Sequence, residues 1–303
     1  MADSRPNLLL EFSLLLCLAV LWGSSYLWIK IAVDAIPPVT LIAVRVSVAA
    51  IMLLGVVAWL RLDLPGDAAT WSQLTVQSVL NSTGAWLLLA WGQQFVDSGL
   101  AGVLNSTSPL FVLAFTMLWT RHEPITGLKQ IGVACGFAGV LMIVGFDVLQ
   151  GLGQQVGAQL AILAGAVMYA GAAIFGKQRF NHLHPTATAA GTMICASVCL
   201  VPLSLTIDRP WTLTPTATDL AAALILGVFC TGFALLLYFR LLRTIGSMGV
   251  ASQGFMRAGL SVLLGVVVLG EQLTVLLAFG VVSTILGVAL INFPNRQITR
   301  WGT

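Results

Sequence analysis

Arg257 is the residue with the most chemistry to offer. It stands nine residues after Met248, where a long apolar run begins. A guanidinium there falls near the middle of a bilayer, where a charge costs at least ~2.5–3.5 kcal/mol on the insertion scale. Two uses offset such a cost, and both stay open: pairing with a carboxylate on a small molecule, or bonding carbonyls and amides freed inside the protein. Arg45 is a second charge inside an apolar run. The amides Asn105 and Gln253 each lie early in their runs; Ala101, Asn105, Ser108 and Val112 share one helix face by spacing, and Gly249, Gln253, Arg257 and Leu260 share another. Such amides either read polar groups of a ligand or bond helix to helix. Trp22, Tyr26, Trp86, Tyr169 and Tyr238, with Asn81, add aromatic and polar groups within other apolar runs, where packing is the competing use.

These residues bind better than they catalyse. None of the acidic residues lies mid-run, and His122, His182 and His184 fall in connections. No acid/base set or metal-ligating cluster assembles, so no catalytic residue, metal or cofactor is expected, and an intramembrane enzyme is the least favoured reading. A proton relay would want an ionisable group in the membrane. Its absence points to uniport or exchange without obligatory proton flux.

The elements that carry these residues are membrane spans. Hydrophobic residues make up 58% of the 303-residue chain and charged residues 8%, against roughly 25% charged in soluble domains. Ten apolar runs can be marked: Leu8–Ala32, Val39–Leu60, Trp71–Phe95, Gly99–Thr120, Leu128–Gly145, Gly157–Gly176, Thr186–Leu205, Leu220–Leu241, Met248–Leu269 and Thr274–Asn292. A span needs about 20 such residues. Ten Lys and Arg fall in connections on the side of the N-terminus and two, Lys30 and Arg209, near the other, which places both termini in the cytoplasm. The formal charge of +3 is too small to argue for nucleic acid. The expected partners are a small molecule and the lipid bilayer, with the chain a monomer or weak homodimer.

The chain is one unit written twice. Asn105 and Gln253, Glu123 and Glu271, and Thr126 and Thr274 are each 148 positions apart, as are Thr83-Gly84 and Thr231-Gly232. Gly132 and Gly139 match Gly280 and Gly287 at the same distance, and Gly132, Gly136 and Gly139 form a small-residue face for another span or a second subunit. Repeats of this length govern the fold. The units divide as 1–147 and 148–303, five spans each. An odd count makes the second enter from the opposite face, so the expectation is an all-α membrane protein of ten transmembrane helices, as two inverted five-helix repeats around a central cavity.

Several stretches carry a family likeness. Leu21-Trp22-Gly23-Ser24 in the first run, Arg45 in the second, Pro109 in the fourth, Glu123-Pro124-Ile125-Thr126 after it, and Leu269-Gly270-Glu271-Gln272-Leu273-Thr274 after the ninth resemble the drug/metabolite transporter superfamily in its ten-helix EamA-type form. The resemblance covers nearly the whole chain. It implies that spans one, three, four, six, eight and nine line the cavity, which makes Trp22, Tyr26, Asn81, Trp86, Asn105, Ser108, Tyr169, Tyr238, Gln253 and Arg257 the substrate-binding set. It leaves Arg45 outside the lining. It also implies a secondary transporter of a bacterial inner membrane, exporting small metabolites by alternating access, with amino acids, aromatic or amphipathic ones included, foremost. Relatives that exchange sugar phosphates or nucleotide sugars, or export drugs, supply the alternatives. One position departs from the pattern: Arg257 stands where the family usually has Pro, which predicts a less kinked ninth span and a more charged site.

Overall fold

Hydrocarbon offers no water to satisfy a backbone N–H or C=O, so a chain this apolar must pair those groups within helices. The computed structural model describes residues 8–33, 35–92, 94–96, 98–144, 152–257, 260 and 275–293, and no strand occurs among them. Ten membrane helices follow in order among the described residues: α1 (Leu8–Val33), α2 (Pro38–Trp59), α3 (Ala68–Ser78, Val79–Thr83 and Gly84–Gly92), α4 (Ser98–Asn105, Ser108–Phe115 and Thr116–Thr120), α5 (Gly127–Val144), α6 (Val156–Arg179), α7 (Pro185–Ile207), α8 (Ala217–Gly227, Val228–Phe233 and Ala234–Thr244), α9 (Gly246–Ala251, continuing over 253–257) and α10 (Val275–Ile291). Caps close several ends: the Asp67 carboxylate accepts from the Thr70 amide at 2.7 Å, and Thr216 and Asp219 form a capping box at the start of α8.

The face of the membrane at which α1 begins is called the near face, and the other the far face. Contacts between helix ends show how the chain alternates. Glu11, at the start of α1, accepts from the Thr244 hydroxyl at the end of α8 (2.7 Å), and Arg240 lies 3.7 Å from the same carboxylate. Asp208, at the end of α7, accepts from the amide and hydroxyl of Thr40 at the start of α2 (2.7 and 2.8 Å). Glu11 stands at the end of its span rather than mid-run. It lies in the first turn of α1 and is only 4% exposed, its charge matched by Arg240.

The two halves are related by an internal two-fold. α2 packs on α7 and α5 on α10, pairs that map onto themselves, while α1 packs on α8 as α3 packs on α6. Residues that touch their own repeat equivalents must lie near the axis. The Ser106 hydroxyl donates to the Gly254 carbonyl at 3.4 Å and the Ser283 hydroxyl to the Cys135 carbonyl at 2.8 Å, each across 148 positions.

Three local features shape the interior. α3 and α8 each carry a π-helical turn, Val79–Thr83 and Val228–Phe233, at matching repeat positions. Such turns are rare and free backbone carbonyls for other partners. α4 breaks at Ser106 and Thr107 and restarts at Ser108-Pro109, where the proline has no N–H to lose. The ninth span was expected to be less kinked for want of a proline, yet α9 is interrupted at Ser252. The Ser252 hydroxyl donates back to the Gly249 carbonyl at 2.6 Å and accepts from the Asn292 amide at 3.1 Å, so a serine and a neighbouring helix do what the proline does in α4.

The small-residue face of α5 is taken by α10. A Cβ on Gly139 would lie 2.7 Å from the Gly280 carbonyl oxygen, and one on Gly132 2.8 Å from that of Gly287, so backbone meets backbone. We expect Gly139→Val to cost about 1–3 kcal/mol by overpacking and to lower the unfolding temperature in detergent. Gly55→Ala in α2, where nothing lies within 4 Å, should leave it unchanged or raise it. Equal melting of the two variants would contradict backbone contact between α5 and α10.

Candidate substrate cavity and near-face seal

A cavity of about 690 Å³ opens on the far face between the end of α1 (Val33) and the start of α2 (Pro38). Its walls come from α1, α2, α3, α6, α8 and α9, and Trp22, Arg45, Trp86, Tyr169 and Arg257 supply its chemistry. A second cavity of about 350 Å³ lies toward the near face, with Ser108, Tyr238 and Gln253 on its walls. Trp22, Tyr169 and Arg257 border both, so these three side chains are the partition. The Trp22 ring centroid is 5.5 Å from that of Tyr238, and the Arg257 guanidinium carbon is 5.6 Å from the Trp22 ring.

The partition is rich in unspent hydrogen-bonding capacity. Among the described residues Arg257 has no hydrogen bond or ion pair; its one polar contact is the face of Trp22. The Trp22 indole N–H and the Gln253 carbonyl oxygen are buried without partners. Among the described residues no Asp or Glu lines either cavity. A buried polar group without a partner costs free energy, so this arrangement suits a site completed by something that enters it.

Arg45 is the residue that sequence reasoning left out of the lining. It is 5% exposed and stands on the far-face cavity wall. Its Nε donates to the Thr231 hydroxyl at 2.6 Å and its Nη2 to the Cys230 carbonyl at 3.2 Å, while its guanidinium lies 4.0 Å over the Trp86 ring. The π turn of α8 presents these acceptors, and the Thr231 hydroxyl itself donates to the Leu226 carbonyl at 2.8 Å. Structural bonding and cavity lining are therefore the same placement. Its charge inside an apolar run was the available signal; what hid it was the assignment of α2 to the scaffold.

Of the other expected site residues, Trp22, Trp86, Ser108, Tyr169, Tyr238, Gln253 and Arg257 are brought together around the two cavities. Asn81 and Asn105 are buried, in the π turn of α3 and at the break of α4, and line neither cavity. The side chain of Tyr26 lies outside the described residues, as does Glu271, the repeat partner of Glu123.

The near face is closed by side chains. Glu123, after α4, accepts from the amide and hydroxyl of Ser247 at the start of α9 (2.6 and 3.0 Å). Gly246, at φ +78, makes room: a Cβ there would lie 2.5 Å from the carboxylate oxygen. His122 Nε2 bonds the Ser247 hydroxyl at 2.8 Å and Nδ1 the Thr120 hydroxyl at 2.7 Å, and Lys129 lies 3.9 Å from Glu123. Burial pushes the His122 imidazole below its ordinary range, against the pull of Glu123. The bonds are complete for a neutral ring with its proton on Nε2. Lys177 adds a bond from α6 to the Arg243 carbonyl at 2.8 Å.

Comparison with known proteins gives this arrangement its context. The chain is similar to the uncharacterized inner membrane transporter YedA of Escherichia coli strain K12, 30% identical over 96% of this chain and 95% of that one. It is 24% identical to the uncharacterized transporter YoaV of Bacillus subtilis strain 168, over 94% of this chain and 98% of that one. A solved crystal structure shares the fold, with a TM-score of 0.77 at 18% identity over 95% of this chain and 98% of the other. The EamA-like transporter family matches residues 9–145 and 156–293, nearly the full length and once per half, and the chain belongs to that family.

Proposed function

We propose that this membrane transporter is a bacterial inner-membrane exporter of small amphipathic metabolites that carry a carboxylate, amino acids being the first class to test. It works by alternating access, as a uniporter or exchanger without obligatory proton flux. The observation that carries the reading is the partition: two cavities on opposite sides of one layer of Trp22, Tyr169 and Arg257, one open to the far face and the other closed by Glu123 and Ser247. Lys and Arg concentrated on the near face support a cytoplasmic near face, so the far-face opening is outward. Arg257 holds the substrate carboxylate, and the aromatic walls hold the apolar body. Among the described residues two buried acids lie in the first turns of spans, Glu11 bonded to Thr244 and Arg240 at the near-face end of α1 and Asp219 in the capping box of α8, and neither lines a cavity, which supports transport without a proton relay.

Counterflow of labelled amino acids in proteoliposomes tests the function. We expect uptake above empty vesicles for some of a broad panel and a fall of about tenfold or more in Arg257→Gln, the equivalent of ~1.4 kcal/mol. With the membrane potential clamped, a pH gradient of either sign should neither drive uphill accumulation nor accompany the flux with fixed-stoichiometry proton movement. Gradient-driven accumulation would sink the uncoupled mechanism.

The seal predicts a shift in access. Hydrogen bonds to a charged group contribute about 1.5–3 kcal/mol each, so Glu123→Ala should favour near-face opening by about tenfold or more. A single cysteine at Ala251, in a background lacking the native cysteines, reports this through its labelling rate with an impermeant maleimide applied to the near face. An unchanged rate would mean that the Glu123–Ser247 bonds do not hold the cavity shut.

A further inference from the structure

The charge inside the cavity narrows the cargo. Among the described residues the far-face cavity has two guanidinium groups on its walls, Arg45 and Arg257, and no carboxylate lies on those walls or on the near-face cavity's walls. Arginine keeps its charge at any working pH, and cations this deep in the membrane are stable only with anions, carbonyls or π faces around them. Arg45 has carbonyl, hydroxyl and ring partners; Arg257 has the Trp22 face alone among the described residues. An anion at Arg257 meets a strong donor fork, with the Trp22 indole N–H, itself buried and without an acceptor, on the same wall. An ammonium meets no carboxylate among the described wall residues and is repelled by both arginines. A zwitterion gains at one end and loses at the other.

We propose that the site prefers net anionic amphipathic monocarboxylates over the corresponding zwitterions, with the carboxylate on Arg257 and the apolar body along Trp22, Tyr169 and Trp86. The inference rests on the reading of the partition as the substrate site and fixes the charge of what occupies it. Arg45, engaged by the α8 π turn, contributes its field and holds Trp86 in place under the apolar body. The aromatic walls set the second half of the specificity, a flat or bulky apolar group. A molecule that is bulky but cationic fails on the first half.

Three probes that share a phenylethyl body separate the charges: 3-phenylpropionate, L-phenylalanine and 2-phenylethylamine. Each is titrated into the purified full chain in detergent, with binding read from intrinsic tryptophan fluorescence and thermal stabilisation. The expected order is 3-phenylpropionate tighter than phenylalanine by at least about tenfold, with no saturable binding of the amine. Arg257→Lys should keep that order, whereas Arg257→Gln should abolish it while its unfolding temperature without ligand stays near that of the wild type. Phenylalanine binding as well as or better than 3-phenylpropionate overturns the inference and leaves the export reading intact. Saturable binding of the amine, or failure of 3-phenylpropionate to bind at all, overturns it as well. The export reading fails separately, by the absence of counterflow for every substrate in the panel.

Discussion

The structure depends on one constraint: inside hydrocarbon, a carbonyl or a charge must find its partner within the protein. A helix that breaks or widens there exposes carbonyls, and each exposed carbonyl needs a donor that only a buried polar side chain can bring. The π turn of α8 is the plainest instance. It presents the Cys230 carbonyl and the Thr231 hydroxyl, and Arg45 from α2 fills both. The broken helices α4 and α9 meet close to the two-fold, where the Ser106 hydroxyl of one reaches the Gly254 carbonyl of the other. Irregular backbone, buried charge and cavity occur together because each makes the others tolerable.

The internal two-fold shows where that scheme has been altered. The π turns match, and so do the glycines that let α5 and α10 touch. The position equivalent to Arg45 is Met193, fully buried in α7, and methionine has no proton to donate. The hydroxyl of Thr83, repeat partner of Thr231, is buried without a partner accordingly. Trp86, under Arg45, corresponds to Ala234, and Arg257 corresponds to Pro109. Scaffold positions keep the repeat and site positions break it. An inverted duplication by itself yields two equivalent half-cavities; these substitutions make them unequal, with Arg45 and Trp86 on the far-face cavity alone and Arg257 at the partition.

Much of this was legible in the sequence. Apolar runs with short connections marked the spans, and repeat matches at a constant 148 positions marked the two-fold. The glycine face of α5 was legible too, though not its occupant. Arg257 stood out because a charge nine residues into an apolar run has few explanations. The π turns were not legible, since Val79–Thr83 and Val228–Phe233 have ordinary compositions for a span and an added backbone residue leaves no periodic trace. The break in α9 comes from Ser252 and Asn292, forty positions apart, rather than from a local proline. The near-face seal was hidden for the same reason: Glu123 and Ser247 are loop and helix-start residues whose pairing exists only once α4 and α9 are side by side.

The same packing decides which parts can move. α5 and α10 touch through backbone at Gly132, Gly139, Gly280 and Gly287, and a contact of that kind has no side-chain slack to absorb sliding. α2 and α7 are bolted at the far face by Asp208, Thr40 and Ser204. These two pairs form the frame. The helices around the cavities are held otherwise, by the near-face hydrogen bonds of Glu123, Lys177 and Glu11, and four of them, α3, α4, α8 and α9, carry the π turns and breaks. Side-chain hydrogen bonds can be exchanged for water at a membrane face at small net cost, whereas buried backbone contact cannot. The alternating access proposed for this chain would run through α1, α3, α4, α6, α8 and α9, bending where the backbones of α3, α4, α8 and α9 are already irregular. Arg45 sits at the boundary, on a frame helix yet bonded to the π turn of a cavity helix, so the cation that shapes the cavity is also fastened to the irregular backbone where that helix would bend.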